Sequence, residues 1–235
     1  DKNTYYDMTA DLDIRAYDGD HYYMWDAQQQ YWYGYEWTKN LPAGTGQPTL
    51  NFDSSSNYPQ NNSDNRWYNE GGGSARFDAT QTCAALPNVN ELSWYCMYGD
   101  PRWDAADELW TTMGHLYKGG MWFKKKSVLQ AEGNYNSNTA VDGSDWRIGG
   151  NYNGWSVSQT LPSAADAGNY FYLPALGLYV SGRLNFVGYD GYYWSSSANP
   201  WVSSHAHYLH FDSGIVNVGD HYRGRSDGIR VEGFE

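Results

Sequence analysis

The chain is poor in cysteine, in phenylalanine and in positive charge, and these shortages remove whole classes of protein. Only two cysteines, Cys83 and Cys96, occur in 235 residues, too few for a disulfide-dense scaffold or, with no completing His or Cys nearby, for a tetrahedral thiolate metal centre. They lie thirteen residues apart, which leaves both a bridge between neighbouring helical segments and two free thiols open. Fifteen Lys and Arg against 27 Asp and Glu give a formal net charge of −12, so no nucleic acid partner is expected at physiological salt. The one basic run, Lys124-Lys125-Lys126, reads as a solvated strand end or turn. No apolar run approaches the roughly 18 residues a membrane helix needs, so no membrane insertion is expected. The first residue is Asp1, with no initiator Met and no apolar leader, which fits a mature or trimmed chain without establishing secretion.

Enzyme signatures are missing as well. There is no Gly-x-Ser-x-Gly elbow and no His-Glu-x-x-His, and the carboxylates are too scattered for general acid and base roles. We therefore assign no catalytic residue, no enzymatic activity and no cofactor.

What is abundant is the amphipathic aromatic ring: 12 Trp and 23 Tyr against 7 Phe. Such rings supply contact area at low entropic cost and favour binding surfaces, although many of them also fill cores, with each polar tip finding a partner. From Asp1 to about Asn69 they come in short runs between turn-formers, as in Tyr31-Trp32-Tyr33-Gly34-Tyr35, a pattern of short strands and loops. Helical signals concentrate in the middle. One helix is predicted over Ser74–Leu86, stopped by Pro87. A second is predicted over Val89–Tyr98 behind an Asn88 cap. A third is predicted from Asp104 to Gly119-Gly120, with Asp107 and Glu108 in its first turn and Leu109, Met113 and Leu116 at helical spacing. After Gly120 short strands return at Met121–Phe123, Tyr170–Leu173, Leu184–Val187, Tyr192–Ser195, Tyr208–Phe211, Ile215–Val218 and Ile229–Val231. The sum is an α+β domain with short antiparallel strands, two to three helices and extensive loops. Residues 1–70 read as a loop- and strand-rich extension packed on a main domain of residues 71–235.

Several stretches share an order and spacing. They are Cys83-Ala84-Ala85-Leu86-Pro87-Asn88-Val89-Asn90-Glu91-Leu92, Tyr170-Phe171-Tyr172-Leu173-Pro174-Ala175-Leu176-Gly177, Gly182-Arg183-Leu184, Gly191-Tyr192-Tyr193-Trp194-Ser195-Ser196-Ser197, Ala206-x-x-Leu209-x-Phe211 and Gly228-Ile229-Arg230-Val231. Together they resemble the Fibrobacter major paralogous domain family from about residue 75 to 231. The resemblance implies a C-type lectin-like fold, shared with the variable proteins of diversity-generating retroelements and with formylglycine-generating enzymes. It also implies a bacterial or phage origin, an extracellular place on a cell surface or virion, and a diversified ligand-binding surface after the Tyr-Trp motif. The Glu-Pro-Asn, Gln-Pro-Asp and Trp-Asn-Asp triplets of calcium-dependent sugar binding are absent. The paired C-terminal cysteines of the formylglycine-generating enzymes are absent too, since both thiols here sit in the helical block.

One feature of the tail bears on diversification. Between Ser195 and Val231 there is no Lys, Glu, Gln or Met, and adenine-directed mutagenesis of Asn codons ending in C reaches none of these four. Trp201 is equally unreachable, so it would be a framework residue or a counterexample. Four of the six histidines, His205, His207, His210 and His221, fall within seventeen residues, but strand alternation places His205 and His207 opposite His210 unless a bulge intervenes, so no metal site is assigned. Leu209 and Phe211 are expected in the core, Tyr208 and His210 on the opposite face, and Asp212-Ser213-Gly214 as a hairpin turn. Asn199, Trp201, Ser203, His205, His207, His210, Asp220, His221, Tyr222, Arg223, Arg225 and Asp227 are the expected contacts to a protein or glycan ligand on another cell surface. A pilus-tip or surface adhesin that binds glycan, and a degenerate formylglycine-generating-type enzyme, are the alternatives. Sequencing the locus from several isolates should find substitutions confined to this tail; changes spread evenly along the chain would remove directed variation.

Overall fold

The computed structural model describes residues 14–17, 21–35, 57–72, 75–149, 153–219 and 223–235. In chain order the elements are β1 (Arg15–Tyr17), β2 (Tyr22–Tyr23), α1 (Val89–Tyr98), β3 (Arg102–Thr112), β4 (His115–Lys124), α2 (Lys126–Ala131), β5 (Gly154–Ser156), β6 (Tyr170–Pro174), β7 (Leu178–Val180), β8 (Arg183–Asn185), β9 (Gly191–Ala198), β10 (Ala206–Phe211), β11 (Ile215–Gly219) and β12 (Ile229–Arg230). A four-stranded sheet runs β1-β3-β4-β6, a six-stranded sheet runs β2-β12-β9-β10-β11-β5, and β7 pairs with β8. Among the described residues the fold is mixed α and β, mostly strand, with two α-helices.

Helix α1 forms where its ends are satisfied locally. The Asn88 side chain accepts the Glu91 N–H at 3.0 Å while the Glu91 carboxylate accepts the Asn88 N–H at 2.8 Å, a reciprocal capping box. Val89, Leu92, Tyr95 and Cys96 then form one buried face. That face packs into a core with Met121, Phe123, Leu173, Tyr193, Leu209, Phe211 and Val216 from both large sheets.

The other two expected helices are not there. Residues 81–86 make only turns that reach three residues back, Ala84 N–H to Gln81 and Leu86 N–H to Cys83. Residues 77–79 are instead held extended by Ala79 N–H to Ser196 O at 2.7 Å and Ala198 N–H to Phe77 O at 3.0 Å. Backbone pairing with the β9 segment outweighs the local propensity. The stretch from Asp104 is a β-hairpin. Asp104 Oδ1 accepts the N–H of Ala106 and Asp107 at 3.1 and 2.8 Å, as a helix cap would. The turn ends in a bulge, and from Leu109 the chain pairs with β4, through Leu109↔Lys118 to Thr112↔His115. Met113 (φ 50°) and Gly114 (φ 77°) form the two-residue loop in the left-handed region that such a hairpin requires. Leu109 and Leu116 consequently face solvent, whereas Trp103, Trp110, Met121 and Phe123 are buried.

Residues before 70 contribute to both large sheets through β1, paired with β3, and β2, paired with β12. Tyr22, Tyr31 and Trp32 surround Tyr179 with ring centroids 4.9, 5.1 and 4.5 Å away. Cys83 and Cys96 are both buried free thiols, which closes the question left by their spacing. Burial pushes both thiols well above the usual range.

Trp194 is 0% exposed, donates its indole N–H to Tyr23 O at 2.8 Å and stands edge-on to Tyr208. Trp194→Ala should cost about 3–5 kcal/mol in denaturant unfolding; a loss below about 1 kcal/mol would remove this ring from the framework.

Candidate functional site

The turn between β9 and β10 is built from below. Asn199 Oδ1 accepts the N–H groups of Trp201 and Val202 at 2.8 and 2.9 Å. Its own N–H bonds His205 O at 3.1 Å, and His205 N–H bonds Val202 O at 2.9 Å. Arg225 closes the base: its backbone N–H donates to Ser204 O at 2.8 Å and its Nε to His205 O at 2.9 Å. The second arm of the guanidinium reaches Asn69 O and Gly71 O at 2.9 and 2.8 Å, and its plane lies over Trp25 at 4.5 Å. Burial draws the Arg225 pKa down to about 10, so it remains a cation near neutral pH.

On this support Trp201 is 53% exposed, and Val202, Ser203 and Ser204 are also in solvent. The Trp201 ring leans on Gly149, where an added Cβ would come within 2.9 Å of it, and Ile148 beside that glycine is exposed. The 145–149 turn therefore borders the site. Asp145 fixes that turn, because its carboxylate takes the Asn90 amide and the Arg147 guanidinium at 2.9 and 2.7 Å. Those donors hold the Asp145 carboxyl down at about 2 against its desolvation.

The expected contact residues divide by burial. Trp201 and Ser203 are exposed and His205 is half-buried, so these three face outward at one place. Asn199, His207 and Arg225 are each 0% exposed, and the side chains of Asn199 and Arg225 bond backbone groups of the protein itself. A bulge lies between Ala206 and Tyr208, and strand alternation cannot be carried across it. From Tyr208 onward alternation holds: Leu209 and Phe211 enter the main core, while Tyr208 lies with Tyr192 and Trp194 in a second cluster. The Asp212-Ser213-Gly214 turn joins β10 to β11, with Asp212 N–H on Ile215 O at 3.0 Å.

His210 is half-buried with its ring 4.7 Å from that of Tyr192. It pairs with Tyr192 near the start of β9, and four residues of β10, roughly 13 Å at strand rise, separate it from Ala206, which pairs with Ala198 at the other end of β9 next to the turn. Arg223 is half-buried over the Tyr192 ring at 5.3 Å. Asp220, His221 and Tyr222 lie outside the described residues. Sequence reading also missed a cleft of about 270 Å³ lined by Tyr17, Glu108, Trp110, Trp122, Tyr172 and Glu232, among others. The hairpin contributes Trp110 and Trp122 to it, and Trp110 lies in the stretch that the spacing assigns to a helix.

Asp227 is set apart by its electrostatics. Burial raises its carboxyl to about 7, opposed by Arg223 and by the Gly224 N–H. The folded state thus binds the proton more tightly than the unfolded chain. The associated stability is present in full below about pH 4 and is lost as the pH rises through 7. Asp227→Asn should flatten the fall in stability between pH 4 and 7 by about 1–3 kcal/mol, measured by urea unfolding; an unchanged slope would place the titration elsewhere. No family model, no curated protein and no solved structure matches this chain, so its site is read from its own geometry.

Proposed function

We propose that this chain is a non-enzymatic ligand-binding protein of C-type lectin-like fold that presents the 199–205 turn to a protein or glycan on another cell surface. The observation that carries the reading is Trp201, a half-exposed indole on a turn whose backbone is fixed from beneath by Asn199 and Arg225. Leaving so much apolar ring in water is unfavourable. A rigid aromatic surrounded by small polar groups has the properties of an interface anchor, because its ordering cost is met before a partner arrives.

The fold reading rests on the order of the family-like stretches and on the arrangement of the largest sheet. In it β2 and β12, from opposite ends of the sequence, pair beside the long β9–β10 hairpin. Retroelement-directed variation is supported by the residue types missing from the tail. In this reading variation falls on Ser203, His205 and Arg223, while Asn199, Trp201, His207 and Arg225 are held constant as framework. Placement on a bacterial surface or a phage virion belongs to the same proposal. A glycan-binding adhesin is favoured by Trp201 itself, since an indole face flanked by Ser203 and Ser204 suits sugar stacking. A formylglycine-generating lineage is disfavoured, because both thiols are buried and held protonated.

The purified protein should be screened on a glycan array and on a panel of intact bacterial cells. Against whichever target it binds, Trp201→Ala with Ser203→Ala should weaken binding by about 30-fold or more, with Tm unchanged within about 2 °C. Undiminished binding, or an equal loss of Tm, would overturn the assignment of the turn.

A further inference from the structure

At the other end of the β9–β10 hairpin two carboxylates meet an imidazole. Asp190 immediately precedes β9, Asp212 immediately follows β10, and His210 lies one residue inside β10, paired in register with Tyr192 on β9 and Asn217 on β11. One ligand atom from each of Asp190, His210 and Asp212 lies within 4.8 Å of the other two.

The local bonding leaves these atoms available. Asp212 spends Oδ1 on the N–H groups of Gly214 and Ile215, at 2.6 and 3.0 Å, and this fixes the carboxylate while its second oxygen stays open. Asp190 Oδ2 accepts the Tyr192 hydroxyl at 3.1 Å. The His210 ring is held against Tyr192, and its Nδ1 lies 3.4 Å from the Asn217 side-chain amide. Its Nε2 is buried and has no hydrogen-bond partner.

That nitrogen identifies the site. Nε2 stands 3.6 Å from Asp190 Oδ2, too far for a hydrogen bond. The gap is close to the roughly 3.4 Å that separates two ligand atoms around a tetrahedral ion with bonds of about 2.0–2.1 Å. Asp212 completes the triangle, with a ligand atom within 4.8 Å of both other residues. A half-turn of the Asn217 amide would offer its oxygen to Nδ1–H, which leaves the Nε2 lone pair for a metal.

We propose that Asp190, His210 and Asp212 together bind a first-row divalent metal ion, with zinc the best fit, leaving at least one coordination position for water or a ligand oxygen. One imidazole with two carboxylates is a borderline donor set that suits zinc, manganese or nickel better than magnesium or calcium. Its two negative charges balance the ion. The Tyr192 hydroxyl and the Gly214 and Ile215 N–H groups orient the carboxylates, as outer partners do at metal centres. The site lies well away from Trp201 and stands or falls independently of the turn's role.

The test uses tag-free protein dialysed against EDTA and titrated with zinc chloride, followed by thermal unfolding, with cobalt(II) absorption as a direct report on coordination. Wild type should bind one equivalent, gain about 5–10 °C in Tm at a free zinc concentration near a hundredfold Kd, and develop cobalt d–d bands. Asp212→Asn, which keeps the turn's hydrogen bonds, and His210→Ala should each weaken zinc binding at least tenfold and lose the bands, with Tm in EDTA close to wild type. His115→Ala, on the distant β3–β4 turn, should behave as wild type. Should His210→Ala fail to fold, Asp212→Asn decides alone. No zinc response in wild type, an undiminished response in Asp212→Asn, or an equal loss in His115→Ala would overturn the site.

Discussion

Arg225 is the constraint on which the rest of this architecture depends. A guanidinium taken wholly out of water must have its charge and its donors answered by the protein. Here Nε and Nη1 are answered from distant parts of the chain, by carbonyls of His205, Asn69 and Gly71, and the charge lies over the rings of Trp25 and Phe77, while Nη2 has no hydrogen-bond partner. Fixing one of these groups fixes the others, so the outward turn inherits its shape from the interior rather than from its own sequence.

The counterpart of Arg225 is Asp26, also fully buried. Its two oxygens accept the backbone N–H groups of Thr80, Gln81 and Cys83 and the side-chain amide of Asn69. Asn69 links the two charges, since its amide serves Asp26 while its carbonyl serves Arg225 and its N–H bonds Trp25 O at 3.0 Å. Opposite charges thus organise irregular backbone at residues 69–71, 80–83 and 204–205, where no ladder of strand or helix bonds is available to do so.

This arrangement explains what could and could not be read from the residues alone. Helix α1 was legible to its ends because its cap, its acid and its apolar face are all local. The β10–β11 hairpin was legible from Asp212-Ser213-Gly214 and from the alternation of Leu209 and Phe211. Asp104 misled because the same side-chain-to-backbone bonds that start a helix here close a bulge, and only the partner strand decides which. Trp201 is exposed, whereas Asn199, His207 and Arg225, which look like surface groups in sequence, are buried. Their burial depends on partners far along the chain, as with Asn69 and Arg225, and no window of neighbouring residues contains that information.

The free cysteines carry a last consequence. Cys83 rests under Asp26, with its sulfur 3.3 Å from that residue's backbone nitrogen, and Cys96 faces the helix-bound core. Neither is a covalent tie, so the assembled state draws nothing from oxidation. The polypeptide can therefore reach its final form under reducing conditions as readily as under oxidising ones.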